Sequence, residues 1–264
     1  MSPTPLLELK DLHKRFGAVQ VLRGVDLSVY AGEVTALVGD NGAGKSTLIK
    51  SIAGIHDIDK GDILWQGEKV TITSPKAAAS LGAEFVYQDL ALCDNLDIVR
   101  NMFLGREWRR RGFLDEDSME SKARETLANL SVTTVQSVRQ TVAGLSGGQR
   151  QSVAVAKAAM WDSKLVVLDE PTAALGVAQT RQVLDLVRRL ADNGLGVLMI
   201  SHNLHDVFEV SNQVAVLRLG RMVAHLHTKQ TDQQQLVELI TTGTSLRPVA
   251  GASAGTDAVI GDES

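Results

Sequence analysis

Gly39-Asp-Asn-Gly-Ala-Gly44-Lys45-Ser46-Thr47 constrains the fold of this chain more than any other stretch. It fits the pattern G-x-x-x-x-G-K-[ST], which carries meaning only between a strand and a helix. Both neighbours are present. Glu33–Val38 is an apolar run with the character of a buried strand, and Lys45–Gly54 has a helical pattern stopped by glycine. The glycines let backbone N–H groups curl around phosphate oxygens, and the helix start adds a favourable dipole. Asp40, Asn41 and Ala43 complete the loop. Lys45 suits the β- and γ-phosphates of a bound nucleotide, and Ser46 suits Mg2+.

Short apolar runs alternate with longer helical patterns along the rest of the chain, which predicts an α/β fold. Leu6–Lys10, Val25–Tyr30 and Gly61–Trp65 read as strands, with turn residues between them. Ala83–Tyr87, Leu165–Asp169, Gly196–Ser201 and Gln213–Leu219 read as further strands. Val183, Leu184, Val187 and Leu190 recur at helical spacing, so a helix is expected over Ala178–Asp192. The pattern between about 89 and 163 is mainly helical and reads as an insertion, not a separate domain. Beyond about 244 the residues are small and unpatterned, and 245–264 reads as a mobile tail.

Leu165-Val-Val-Leu-Asp169-Glu170 supplies acids at the C-terminal end of a buried strand, the edge where open α/β sheets bind ligands. Asp169 suits a metal, and Glu170 suits the polarisation of an attacking water. The net charge of −4 argues against a general nucleic-acid binder. One cysteine, Cys93, permits no internal disulfide and reads as a small buried hydrophobe. Met1–Pro5 shows no secretory signal, and no window approaches the ~18 apolar residues of a membrane span. Any membrane pore is therefore expected from another chain.

Leu145-Ser146-Gly147-Gly148-Gln149 adds a second kind of constraint. With Lys45 and Asp169 in this order, the chain resembles an ATP-binding cassette ATPase over about residues 6–243. The resemblance implies a P-loop NTPase cassette with a RecA-like core sheet, an N-terminal antiparallel β subdomain and an inserted helical subdomain. It implies ATP and Mg2+ as ligands. Phe16 matches the aromatic that stacks on adenine, its alternative being a simple core aromatic. Gln88 matches the glutamine that reaches Mg2+ and the attacking water, and His202 the histidine that contacts the γ-phosphate. Ser146, Gly147, Gly148 and Gln149 are expected to close over ATP held by a second copy. Ser146 also suits a helix N-cap.

One departure stands out. The family usually has aspartate where Ala173-Ala-Leu-Gly176 has glycine, which weakens the expected polar link between paired ATP sites. Gly39-Asp-Asn-Gly42, Asn101-Met-Phe-Leu-Gly-Arg-Glu107, Glu170–Val177 and Ser201-His-Asn203 look like the ATPases of bacterial monosaccharide importers, of the single-cassette type. The resemblance then implies a homodimer at the cytoplasmic face of the membrane, bound to permease subunits and served indirectly by a periplasmic or extracellular sugar-binding protein. No nucleic-acid partner is expected. Leu90, Ala91, Leu92, Leu96, Ile98, Met102 and Phe103 form either a permease-docking groove or the small core of the helical insertion. Arg109-Arg110-Arg111 beside Trp108 fit a lipid-headgroup contact or, more commonly for such runs, a solvated surface. His225 and His227 read as surface histidines on a strand. A soluble cassette acting on DNA or ribosomes lacks its coiled-coil insertion or tandem cassette here, a small-molecule kinase does not explain Leu145–Gln149, and an exporter usually fuses its ATPase to a membrane domain.

Overall fold

The computed structural model describes residues 3–244, so the tail expected at 245–264 lies outside the described residues. Near the N-terminus β1 (Leu7–Phe16), β2 (Val19–Val29), β4 (Lys60–Trp65) and β5 (Glu68–Val70) pair antiparallel in the order β2-β1-β4-β5. β1 runs six residues beyond the strand read from Leu6–Lys10, because its second half is largely solvated and shows little apolar alternation.

A second sheet holds β3 (Val34–Val38), β6 (Ala83–Val86), β9 (Leu165–Asp169), β10 (Gly196–Ile200), β11 (Gln213–Arg218) and β12 (Arg221–His227). Their order is β12-β11-β3-β10-β9-β6, all parallel except β12, which returns antiparallel from β11. Successive residues enter opposite cores. Val166, Leu168, Val197 and Met199 join one cluster with Ile98, Phe103 and Met119; Leu165, Val167, Leu198 and Ile200 join the other, against the antiparallel sheet. Burial on both faces is why these strands read as unbroken apolar runs. Each fully buried side chain of this kind contributes roughly 1.5–3 kcal/mol.

Eight helices are described: α1 (Lys45–Ile52), α2 (Pro75–Leu81), α3 (Ile98–Phe103), α4 (Glu116–Asn129), α5 (Gly147–Ala159), α6 (Val177–Asp192), α7 (Leu204–Val210) and α8 (Gln233–Thr242). α2 and α8 carry start signals that the hydrophobic pattern hides: Ser74 and Asp232 cap them by accepting from Ala77 N–H and Gln235 N–H. Between 89 and 163 lie α3, α4 and α5, and also a hairpin of β7 (Arg109–Arg110) and β8 (Phe113–Leu114) that the helical reading omitted. Ile98, Met102, Phe103, Met119 and Leu127 share one cluster with the core sheet.

Candidate active site

Parallel strands end together, and their register brings distant motifs to one edge. Ile200 pairs with Asp169 on one side and with Leu37 on the other, while Val86 pairs with Leu168. The chain leaving β3 becomes the glycine loop, that leaving β9 carries Glu170, that leaving β10 carries His202, and that leaving β6 carries Gln88.

The glycine loop is a cradle that side chains would fill. A Cβ on Gly39 would stand 2.1 Å from the Leu217 carbonyl oxygen. Gly42 and Gly44 have φ of 79° and 109°, a region that favours glycine. The loop is tied to the β11–β12 turn, where Gly220 N–H donates to the Ala43 carbonyl at 2.9 Å. Asp40 carboxylate accepts from Asn41 N–H at 2.7 Å. Lys45 Nζ donates to the carbonyls of Gly39 at 2.7 Å and Asp40 at 3.0 Å. Burial holds its ammonium below the usual lysine range, against the opposing pull of Glu170, Asp40 and Asp169. Ser46 is exposed and Thr47 half-buried at the start of α1.

Asp169 is half-buried at the end of β9; burial first, and then the charge of Glu170, push its carboxyl above the usual carboxylate range. Glu170 has φ of 50°, a conformation costly for a non-glycine residue that recurs at working sites. Glu170 N–H donates to the Ile200 carbonyl at 3.0 Å, which fixes the residue against β10. Its Oε1 lies 3.1 Å from His202 Nδ1. Gln88 is exposed beyond β6, next to Tyr87, whose hydroxyl is pushed up by burial and by Asp169. A cavity of about 600 Å³ lies among the loop residues Gly39, Asp40 and Asn41, the pair Glu170 and His202, and Ile240 of α8.

Asp206 went unnoticed in the sequence. It is fully buried, and its two oxygens accept from Thr172 Oγ1 at 2.6 Å and Asn203 Nδ2 at 3.0 Å. It thereby ties the loop after Glu170 to the loop carrying His202. The one visible signal was Asn203, an N-cap residue type three positions upstream of an acid.

Leu145–Gln149 lies apart from the 600 Å³ cavity, none of whose lining comes from it. Ser146 caps α5 by accepting from Gln149 N–H at 3.3 Å, and Ser146 N–H donates to Gln149 Oε1 at 2.8 Å. Gln149 Nε2 donates to the Thr134 carbonyl at 2.5 Å, so its amide is committed within the chain. Ser146 and Gly147 are exposed, whereas a Cβ on Gly148 would meet Gln179 at 2.9 Å. Phe16 is not a core aromatic: it is 45% exposed, with its ring edge-on to His56 at 5.1 Å and Lys14 Nζ 5.3 Å from its centroid.

Ile98, Met102 and Phe103 are wholly buried in the core, while Leu90, Leu92 and Leu96 are half-buried and Ala91 exposed. Cys93 is half-buried, and its backbone is pinned by Asn101, which accepts from its N–H at 2.7 Å and donates to its carbonyl at 2.9 Å. His225 is no surface histidine: its Nε2 is enclosed without a hydrogen-bond partner, while His227 is exposed.

Among the described residues no group of three or more His, Cys, Asp or Glu is placed to hold a metal. The donors at this edge, the Ser46 hydroxyl, Gln88 amide and Asp169 carboxylate, are hard oxygens. Such a set fits Mg2+, which takes its other ligands from phosphate and water.

A family profile described as "ABC transporter" matches residues 22–173. The xylose/arabinose import ATP-binding protein XylG of Sulfolobus acidocaldarius is 46% identical over 236 residues, covering 89% of this chain and 94% of that protein. The fructose import ATP-binding protein FrcA of Rhizobium meliloti is 44% identical over 248 residues, covering 91% and 95%. The ribose import ATP-binding protein RbsA 1 of Rubrobacter xylanophilus is 42% identical, and this chain spans 47% of its length. The crystal structure of an ATP-binding cassette of an ABC transporter in its ADP conformation matches with TM-score 0.77 and 25% identity, covering 90% of this chain and 95% of the other. A nucleotide-free cassette matches with TM-score 0.74 and 26% identity, covering 84% and 91%.

Proposed function

The chain belongs to the ABC transporter family, and from that premise we propose that it is the ATP-hydrolysing subunit that energises monosaccharide import through a separate permease. The observation that carries the reading is the meeting of Lys45, Asp169, Glu170 and His202 at one sheet edge, with Glu170 and His202 3.1 Å apart. Gly39–Thr47 cradles the phosphates of ATP, and Phe16 offers an exposed π-face to adenine. Ser46, Gln88 and Asp169 would hold Mg2+, which neutralises charge on the phosphate oxygens. Glu170 takes up the proton side of water attack, and His202 both orients Glu170 and meets the γ-phosphate. Asp40, Asn41 and Ala43 contribute the shape of the loop.

Two copies act together. The exposed Ser146 and Gly147, at a helix start outside the chain's own cavity, support their closing over ATP held by the second copy. The helix-in-groove surface for the permease is the half-buried Leu90–Leu96 stretch, not the enclosed Ile98, Met102 and Phe103. Two single-cassette sugar-import relatives aligned along nearly their whole length support a monosaccharide as cargo. The assembly sits at the cytoplasmic face of the membrane, and an external binding protein delivers the sugar. We infer that Gly148 and Gln149 shape the same surface of the paired site, and that the helical insertion at about 89–163 carries the stretch that meets the permease of the Mg2+-dependent homodimer.

The test is Glu170→Gln in the complex reconstituted with permease and binding protein. Hydrolysis should fall by about 10²–10⁴-fold while ATP still binds. Wild-type protein that hydrolyses no ATP in that complex overturns the ATPase reading. Hydrolysis that responds to no monosaccharide overturns the cargo.

A further inference from the structure

We propose that the β7–β8 hairpin is a membrane-surface anchor that docks on anionic phospholipid headgroups. Arg111 and Gly112 form its two-residue turn, with φ of 52° and 88°, the geometry of tight hairpins. Arg109 pairs with Leu114 and Arg110 with Phe113, and cross-strand partners share a face. Each face therefore carries one guanidinium beside one apolar side chain, and Arg111 adds a third at the tip. Phe113 is 80% exposed, Leu114 48% and Trp108 39%. These are large apolar surfaces gathered within a few residues.

The hairpin stands on a firm base. A hairpin this short is not stable alone in water. Here the Trp108 ring meets buried Phe103 edge-on at 5.1 Å, Phe103 meets Trp161 at 5.3 Å, and Asp115 N–H donates to the Trp108 carbonyl at 2.9 Å. The tip is thus held out from the core rather than folded onto it.

Charge selects the partner. Arg100, Arg106, Arg124 and Arg139 each reach a carboxylate, but among the described residues Arg109, Arg110 and Arg111 form no ion pair. Glu107 feels the charge of Arg109, and Asp115, Glu116 and Asp117 line one cavity with Arg110 and Arg111, yet none of these acids closes an ion pair with the hairpin among the described residues. Asp115 caps α4, Glu116 is held by Arg100 and Arg139, and Glu107 accepts from Gly105 N–H. Guanidiniums pair bidentately with phosphate, and aromatic rings favour the headgroup level. Cytoplasmic permease loops carry an excess of Lys and Arg, so they repel three arginines where an anionic leaflet attracts them. Apolar insertion together with a basic patch gives the two signals that peripheral attachment needs.

The inference rests on the transporter reading only for the presence of a membrane nearby. The full chain, without permease, is sedimented with vesicles of phosphatidylglycerol and phosphatidylcholine, and with vesicles of phosphatidylcholine alone. It should bind the anionic vesicles, and less so as salt rises. Replacing both Arg110→Glu and Arg111→Glu should weaken partitioning by about 25-fold or more, at roughly fivefold per lost arginine. Phe113→Ser should weaken it on its own, and ATP binding should be unchanged in every variant. Sedimentation that ignores lipid charge, variants that sediment like the wild type, or hairpin variants that lose only permease assembly overturn the anchor. ATP binding and sugar-dependent hydrolysis are read separately, so failure here is distinct from failure of the transporter reading.

Discussion

Asp206 has no role visible in a motif, yet it joins the loop after Glu170 to the loop that carries His202. Both its oxygens are used, one by Thr172 and one by Asn203, and it is enclosed. Asp206→Leu removes both acceptors at similar size, leaving the Thr172 hydroxyl and the Asn203 amide without their partner at a cost of about 1–3 kcal/mol. The loops bearing Glu170 and His202 would then lose their common strut. The expected result is a kcat for ATP hydrolysis lowered by about tenfold or more with KM for ATP little changed, because positioning acts on the reacting atoms. A KM that rises while kcat holds would show that Asp206 serves binding instead. Asp206 was illegible because its meaning lies in Thr172, a partner on another loop, whereas Lys45 and Ser46 carry theirs in a contiguous pattern.

Among the elements, the junction of α5 and α6 joins Leu145–Gln149 to the loop after Glu170. A Cβ on Gly147 would touch Leu175 at 3.3 Å, and Gly176 N–H donates to Gln179 Oε1 at 3.4 Å. Gly176 caps α6 without a side chain, with φ of −74° and nothing within 4 Å of where its Cβ would stand. Gly176→Asp therefore fits without strain and supplies the missing cap, for a few tenths of a kcal/mol. It also supplies the carboxylate that the family usually has at this position. The expected outcome is unchanged folding with steeper dependence of hydrolysis on ATP concentration. An unchanged steepness would show that Gln179 and Leu175 already provide the coupling. The strands of the core sheet were legible as apolar runs because both their faces are buried. The β7–β8 hairpin was not, because two-residue strands have no period to detect, and only the Arg111-Gly112 turn hinted at them.

For the whole molecule, stability should bend with pH through His225. Burial holds its imidazole below the usual histidine range, His227 adds to this, and the charge of Glu33 opposes it. The unfolded chain therefore takes up a proton near pH 6.5 that the folded chain refuses. The stability is complete above that pH and is lost progressively as pH falls towards the folded-state value. His225→Phe removes the titration and the unpaired Nε2. The difference in urea midpoint between about pH 7.5 and about pH 5.5 should shrink relative to the wild type. An identical difference would show that acid sensitivity arises elsewhere. The side chain looked like a surface histidine because strand alternation gives a face but not what covers that face.

Contiguous pattern alone established the glycine loop between strand and helix, the apolar strand ending in Asp169, the α/β class and the resemblance carried by Leu145–Gln149. Each of these is a local property: backbone curvature, side-chain period and residue order lie within a few positions of one another. The three-dimensional packing established the rest. Parallel register set Glu170 against His202, burial joined Thr172 to Asn203 through Asp206, and enclosure stripped His225 of its partners. It also left the three arginines of the hairpin exposed. Those facts depend on distances between residues far apart in the chain, and on which polar groups find partners once water is excluded.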